Sequence, residues 1–454
     1  MTLIKSISGI RGTIGGAPGD NLTPVDVVEC TAGFGEWIKK RSSSPKVVIG
    51  RDGRISGHIV DALVVNTLLS MGIDVVNLGL STTPTVEIAV PMEKASAGII
   101  ITASHNPKQW NALKFLNSDG EFISAADGQE IIDYIDGGKL EFTDVDNLGK
   151  LSFDDSYIAK HIEMILGLKY VNAAAIKSRK FKVVVDCINS TGAISVLPLL
   201  EKLGCEVIAI HADMTGDFAH NPEPRPDHLI DLSETVVREK ADLGISVDPD
   251  VDRLAFVNDD GTMFGEEYTL VAVADYLLSK VGGNTVSNLS STRALSDVTA
   301  SHGGSYTASA VGEVNVVNAM KATDAVIGGE GNGGIILPDL HYGRDALVGI
   351  AILLNLLVEK QVSISELRAQ YPHYEMVKDK IQLTPEIDVN GILTRLQEKF
   401  SKERTTTVDG LKIDFEDGWV HLRKSNTEPI IRVYAEANTQ ERAQALADML
   451  KQEV

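Results

Sequence analysis

The sequence has little cysteine, few aromatics and too few basic residues to balance its acidic ones. Three cysteines occur in 454 residues (Cys30, Cys187 and Cys205), an odd number with no CxxC pair. That argues against a disulfide framework and fits a reducing compartment. Lys and Arg number 42 against 63 Asp and Glu, a formal net charge of −21. Nucleic acid and anionic membrane surfaces repel so acidic a chain, and neither is an expected partner. No apolar run reaches the roughly 18–20 residues that cross a bilayer. The longest, "ALVGIAILLNLLV" from Ala346, is broken by Asn355 and reads as a buried helix. The opening "MTLIKSISGIRGTIGG" lacks the apolar core of a signal peptide, so a cytoplasmic location is expected. There is no G-x-S-x-G elbow for a serine hydrolase and no GKS or GKT P-loop for a nucleotide.

What remains is ordinary globular composition, 43% apolar and 23% charged. The length favours several domains. One pattern occurs three times, from Lys46, from Lys182 and more weakly from Thr285. Each copy runs from a β-branched strand through a Gly/Ser/Thr/Asp loop and a helix-period segment to a glycine and a second apolar run. That is a βαβ unit, and copies more than a hundred residues apart predict three similar α/β domains. The end of the chain alternates apolar and polar residues around a hairpin signal at Asp417-Gly418, then closes on the amphipathic "TQERAQALADMLKQEV". A small α+β domain is expected there. The predicted domains are residues 1–145, 146–255, 256–365 and 366–454.

Four stretches could carry chemistry. In "LGISVDPDVDRLAFV", Asp248, Asp250 and Asp252 alternate, which on an extended backbone points all three carboxylates to one side. Like charges so placed call for a cation, and hard oxygen ligands favour Mg²⁺ or Ca²⁺. Arg253 occupies the position where an EF-hand needs glycine, which rules that motif out. In "GIIITASHNPKQWNALKF", Ser104 and His105 follow a buried strand at the sheet edge where α/β proteins bind ligands; a turn or helix cap is the competing reading. In "GGEGNGGIILPDLHYGRDA", Glu330 and Asn332 offer hydrogen bonds suited to sugar hydroxyls, although taken alone the stretch reads better as a mobile turn. In "RKSNTEPIIR", Arg423, Ser425, Asn426 and Thr427 could grip a phosphate. Arg11, Arg51 and Arg54 sit beside loop glycines, as an anion site requires; for Arg54 a salt bridge within the fold is the expected role.

Together, "TASHNP", "DPDVDR", "GEGNGG" and "RKSNTEP", one per predicted domain and in this order, resemble the α-D-phosphohexomutase superfamily over nearly the whole chain. The resemblance implies three related α/β domains with mixed sheets and a smaller α+β fourth around a central cleft. It implies a mutase interconverting hexose 6-phosphate and 1-phosphate through a 1,6-bisphosphate, which also serves as activator. Ser104 would be the phosphoserine carrier, with His105 and Lys114 as proton-transfer or charge-stabilising groups. One Mg²⁺ per chain would be held by Asp248, Asp250, Asp252 and a Ser104 phosphoryl oxygen, with Arg253 steadying the transferring group. Arg11, Glu330, Asn332, Arg423, Ser425, Asn426 and Thr427 would bind the sugar phosphate, in a monomer or homodimer.

Some residues depart from the family pattern. Several relatives read G-E-x-S-G-H in the sugar loop, where this chain has Asn332 and Gly334. Glu313 stands where relatives carry a histidine. Both variants resemble the phosphoglucosamine mutase branch, which points to glucosamine phosphate, with mannose and glucose phosphates as alternatives. A metal-dependent sugar phosphatase and a non-catalytic sugar-phosphate binder are the other readings.

Overall fold

The computed structural model describes residues 2–6, 9–384, 387–425 and 430–453. Its first sheet contains β1 (Ile4–Ser6), β2 (Gly9–Thr13), β3 (Lys46–Arg51), β4 (Asp74–Leu80), β5 (Ala97–Ile101), β6 (Trp110–Leu116) and β7 (Leu151–Phe153), in the order β1-β2-β6-β5-β3-β4-β7. The second contains β8 (Lys182–Asp186), β9 (Glu206–Ile210), β10 (Leu243–Val247) and β11 (Leu254–Val257), ordered β11-β10-β8-β9. The third contains β12 (Asn284–Asn288), β13 (Tyr306–Ser309), β14 (Ala325–Glu330) and β15 (Gly334–Ile336), ordered β13-β12-β14-β15. The fourth is antiparallel: β16 (Glu375–Gln382), β17 (Arg404–Thr406), β18 (Leu411–Phe415), β19 (Gly418–Lys424) and β20 (Ile430–Ala437), ordered β16-β20-β19-β18-β17.

The first three sheets share one cell: three parallel strands and an antiparallel fourth. It appears as β4-β3-β5-β6, β9-β8-β10-β11 and β13-β12-β14-β15. Its central strands are covered on both faces by helices, so they read as unbroken apolar runs; every residue of "AGIII" and "LGISV" is buried. The antiparallel last strand makes the preceding junction a short turn, which leaves a loop at the C-terminal edge of a rigid strand. β7 carries the first sheet past residue 145, and β11 carries the second past 255.

The apolar run from Ala346 is a helix, Ala346–Lys360, buried from Ala346 to Leu357 and capped by Asp345, whose carboxylate accepts from the Leu347 and Val348 amides. Asn355, the polar break in that run, is satisfied inside the core. Its amide donates to the Tyr276 hydroxyl at 2.7 Å and its oxygen accepts from the Asn172 amide at 2.8 Å. A buried chain from Thr85 through His161 to Asp345 joins the first three domains, at 3.0 and 2.9 Å. The hairpin at Asp417-Gly418 and the closing helix Gln440–Lys451, capped by Thr439, form as the pattern predicts. No helix among the described residues is long and apolar enough to cross a membrane.

Candidate active site

β5 ends at Ile101, and the chain turns through Thr102 and Ala103 to Ser104, which sits at φ +48° with 6% exposure. A serine in left-handed conformation costs about 1–3 kcal/mol unless its surroundings fix it. Arg54, fully buried, supplies that constraint. Its guanidinium donates to the carbonyls of Ser104, Asn106, Pro107 and Trp110 and pairs with Asp52 at 3.0 Å. Asp52 in turn accepts from the Thr102 hydroxyl at 2.6 Å, and Thr102 Oγ1 accepts from the Ser104 amide at 2.9 Å. The salt bridge expected of Arg54 is present, and the same side chain fastens the serine loop.

The three aspartates follow β10. Their convergence does not come from strand alternation, as the i, i+2, i+4 spacing predicts. The chain leaves the sheet at Asp248 and turns, with Val251 at φ +62° and its amide bonded to the Asp248 carbonyl at 3.0 Å. The Asp252 and Arg253 amides then donate to Asp248 Oδ1 at 3.2 and 3.1 Å. The turn brings the three carboxylates within 4.8 Å of one another, all fully buried. Ser104 Oγ donates to Asp248 Oδ2 at 2.6 Å, which seats the serine of the first domain on the acidic cluster of the second.

Charge around the cluster is arranged unequally. Burial and the facing charges of Asp250 and Asp252 push Asp248 well above the usual carboxylate range. Burial also acts on Asp250, but the Lys114 ammonium at 2.8 Å and the Thr83 hydroxyl at 2.6 Å hold it below that range. Lys114 stands on β6 opposite Ile100 and also reaches Asp252 at 3.6 Å. Burial alone would lower its pKa; Asp250 and Asp252 raise it. Asp250 Oδ1 and Asp252 Oδ1 are buried with no hydrogen-bond partner. Such bare oxygens are costly unless a cation meets them, so the residues fit a hard divalent ion such as Mg²⁺.

Cationic groups flank Ser104. Arg11 on β2 and Arg253 each bury a guanidinium Nε that has no hydrogen-bond partner. Arg253 stays 4.0 Å from both Asp248 and Asp252, too far for a tight pair. Burial and then Arg253 lower the Arg11 pKa. His105 has a buried Nδ1 without a partner; burial, then Arg253, Arg11, Arg344 and Lys114, hold it well below its ordinary value and keep the ring neutral. Two guanidinium Nε donors without a hydrogen-bond partner beside a serine hydroxyl are chemically suited to a phosphate dianion.

The third domain joins through a residue the motif reading passed over. Arg344 donates to Asp252 at 2.6 Å, to Glu330 at 3.0 Å and to Glu313 at 2.9 Å. It lies within the quoted "HYGRDA", but nothing local marks it as the strut between metal cluster and sugar loop. Glu313, which replaces the family's histidine, is explained by this contact. Glu330 is committed within the fold, since its other oxygen accepts from Asn288 and from the Gly312 amide. Asn332 closes its own loop by accepting from the Gly334 amide at 3.2 Å.

Arg423 and Ser425 lie at the end of β19 on the separate fourth sheet. Arg423 also buries an Nε without a hydrogen-bond partner, and across the ladder it faces Arg432, which faces Lys380 in turn. Like charges placed opposite one another favour a bridging anion. Asn426 and Thr427 lie outside the described residues. The fourth domain is fastened to the third by Lys412 on the Leu289 carbonyl, Arg293 on the Gly418 carbonyl and His421 against Ser290, each at 2.9 Å.

Four family profiles match the chain in order. They are phosphoglucomutase/phosphomannomutase alpha/beta/alpha domains I, II and III, over residues 3–141, 157–261 and 265–374, and the C-terminal domain, over 381–453. A probable phosphoglucosamine mutase of Methanopyrus kandleri is 36% identical over 447 residues, covering 97% of this chain and 95% of the relative. A phosphoglucomutase/phosphomannomutase of Thermococcus kodakarensis is 34% identical, covering 96% of each chain. The crystal structure of a phosphoglucomutase/phosphomannomutase family protein from Burkholderia thailandensis superposes with a TM-score of 0.87 at 26% identity, covering 99% of this chain and 96% of that one. The fold, the order of the four loops and these matches establish that the chain belongs to the phosphoglucomutase/phosphomannomutase family and is an isomerase, a phosphohexomutase.

Proposed function

We propose that the chain interconverts glucosamine 6-phosphate and glucosamine 1-phosphate through phosphorylated Ser104 and a 1,6-bisphosphate intermediate. The observation that carries this reading is the Ser104 hydroxyl bonded to Asp248 inside a buried, oxygen-rich cluster flanked by Arg11 and Arg253, whose buried Nε atoms have no hydrogen-bond partner. Asp248, Asp250 and Asp252, with a phosphoserine oxygen, would hold one Mg²⁺, which supplies charge neutralisation for the transferring phosphoryl group. Arg11 and Arg253 take phosphoryl oxygens. Lys114 balances Asp250 and Asp252, and neutral His105 is able to move a proton. The sugar 1-hydroxyl oxygen forms a bond to phosphorus as the bond to Ser104 Oγ breaks, and its proton passes to the neutral His105 ring, which gives it to the 6-oxygen when the 6-phosphoryl group leaves. After the bisphosphate reorients, its 6-phosphoryl group returns to Ser104. Arg423 and Ser425, with Arg432 beside them, grip the phosphate that is not being transferred.

Two things support the amino sugar. Two carboxylates, Glu313 and Glu330, lie beside the sugar loop on the one guanidinium of Arg344, acceptors suited to an amino group. The first relative named above is called a probable phosphoglucosamine mutase. Incubation with a hexose 1,6-bisphosphate is expected to add one phosphoryl group to Ser104 by intact mass, and Ser104→Ala to accept none and lose mutase activity. Undiminished activity in Ser104→Ala would sink the mechanism. Phosphate release as fast as isomerisation would favour a phosphatase. With Mg²⁺ and a bisphosphate activator, kcat/KM is expected to be highest for glucosamine phosphate among glucosamine, N-acetylglucosamine, mannose and glucose phosphates.

A further inference from the structure

A second cluster of metal-ligating side chains lies in the second domain, apart from the aspartates. Asp186 ends β8 and is fully buried. Two histidines from the segment after β9 close on the same oxygen, His211 Nδ1 at 3.1 Å and His220 Nε2 at 2.8 Å from Asp186 Oδ2. The three ligand atoms lie within 4.8 Å of one another.

The partners on the far side of each group decide what the near side offers. His220 Nδ1 faces the Asn221 carbonyl at 2.8 Å, and a carbonyl only accepts, so that nitrogen carries a proton. Nε2, 2.8 Å from Asp186 Oδ2, meets that oxygen through its own proton in the imidazolium or, in the neutral ring, through a cation. His211 repeats the arrangement: Nε2 faces the Asp231 carboxylate at 3.5 Å, and Nδ1 is buried without a hydrogen bond despite its short distance to Asp186. Asp186 Oδ1 accepts from the Ile188 amide at 2.9 Å, leaving Oδ2 for the histidines. A ring nitrogen and a carboxylate oxygen this close need a proton or a cation between them, and for His211 Nδ1 no hydrogen bond supplies it. Metal-bound histidines characteristically donate their other N–H to a carbonyl or carboxylate; His220 does so here, and His211 Nε2 faces Asp231 at 3.5 Å.

We propose that Asp186, His211 and His220 form a second metal site, distinct from the Asp248 cluster and selective for a first-row cation of the Zn²⁺ type over Mg²⁺. Two imidazole nitrogens and one carboxylate suit Zn²⁺, whereas Mg²⁺ prefers oxygen alone. Both histidines remain partly exposed, which leaves an approach for the ion and a water. The site would act on the active-site loop through the segment between its two histidines. Gly216 packs so closely on Gly53 that a Cβ there would lie 2.1 Å from the Gly53 carbonyl. Asp217 pairs with Lys108 at 2.5 Å, and the Phe218 ring lies 5.0 Å from the Arg54 guanidinium. Arg54 and Lys108 belong to or fasten the loop that carries Ser104. An ion between His211 and His220 would therefore brace the serine loop from the second domain.

The test is Zn²⁺ binding by equilibrium dialysis to the full chain in excess Mg²⁺, which occupies the aspartate cluster. Wild type is expected to retain one Zn²⁺ per chain. His220→Gln should weaken binding by more than the roughly 10–100-fold that loss of an outer partner costs, and Asp231→Asn, at the surface, by about that smaller factor. No Zn²⁺ retained by wild type, or equal retention by His220→Gln, overturns the proposal. Co²⁺ added to wild type under the same conditions gives a readout that needs no variant. Intense visible bands of a low-coordinate nitrogen-ligated ion are expected. Their absence, with ¹⁵N shifts showing both His220 nitrogens protonated in the presence of Zn²⁺, would mean a His–Asp–His hydrogen-bonded knot and refute the site.

Discussion

Replacing Arg54 by lysine keeps the buried charge but removes the planar fork. The guanidinium makes five bonds, to Asp52 and to the carbonyls of Ser104, Asn106, Pro107 and Trp110. An ammonium has three donors, so at least two of these acceptors lose their partner. A buried acceptor left unmade costs about 1–3 kcal/mol. The outer carbonyls of the loop are only partly buried and reach water, which puts the net at about 2–4 kcal/mol. Strain released at Ser104, held at φ +48°, makes opening easier still. The cost falls on the loop and not on the whole fold, because Arg54's carbonyl partners all lie between Ser104 and Trp110. Local opening should rise by roughly 30- to 700-fold. Hydrogen exchange reads this at the Ser104, Asn106 and Trp110 amides, which are bonded to Thr102, Ala103 and Pro107. Faster exchange at those amides, unchanged exchange in β10, and a fall in kcat/KM are expected for Arg54→Lys. Unchanged protection of the loop with kcat/KM within twofold of wild type would refute the account of Arg54 as its strut.

Arg423→Met should raise KM for the sugar monophosphate by roughly 10- to 150-fold, the worth of one charge-assisted bond, with a smaller effect on kcat; steady-state kinetics check the split. Chelating divalent ions should abolish mutase activity, and added Mg²⁺ restore it, while Asp250→Asn should require more Mg²⁺ for half-maximal rate. Burial holds His421 down at about 4, against an ordinary value of about 6.5. The ring is neutral when folded and takes up a proton on unfolding, so its contribution is complete above about pH 6.5 and is lost as pH falls toward 4. At about pH 5 the loss is roughly 2 kcal/mol, read as a roughly 30-fold drop in protection of β19 amides after correction for intrinsic exchange, and absent in His421→Gln.

The chemistry that was legible in the sequence is the chemistry carried by contiguous residues. Asp248, Asp250 and Asp252 announce a cation site by charge alone, whatever their backbone does. The geometry differs from the strand alternation that the spacing predicts, because a turn centred on Val251 gathers the carboxylates. A residue that works by reaching across domains leaves no local mark. Arg344 ties Asp252 to Glu330 and Glu313, and nothing in "HYGRDA" reveals those partners. Thr83, which donates to Asp250 from the start of a helix in the first domain, is equally silent. In "GEGNGG" only residues 331–333 form the turn, between β14 and β15, and the side chains expected to face a ligand are bonded within the fold: Glu330 to Arg344 and Asn332 to its own turn.

The recurring βαβ pattern was visible because helix and strand periods repeat. The decisive feature of the cell, its antiparallel fourth strand, was not, because a strand's direction has no sequence period. That reversal determines where the chemistry sits. A parallel successor would need a long crossover; an antiparallel one needs only a turn at the C-terminal edge of the strand before it. Each cell therefore presents one short loop from the same place. In the first cell β5 gives way to β6 through Ser104, in the second β10 to β11 through the three aspartates, and in the third β14 to β15 through the segment after Glu330. Ser104 bonds Asp248, and Arg344 ties Asp252 to Glu330, so the three equivalent loops meet in one site. One architecture used three times brings together the serine, the three aspartates and the glycine-rich turn, the groups proposed above to carry the phosphoryl group, the cation and the sugar, without any one domain containing all of them. The fourth domain has no such cell. Near the end of its β19 Arg423 stands with Arg432 opposite, which suits gripping an anion rather than reacting with it.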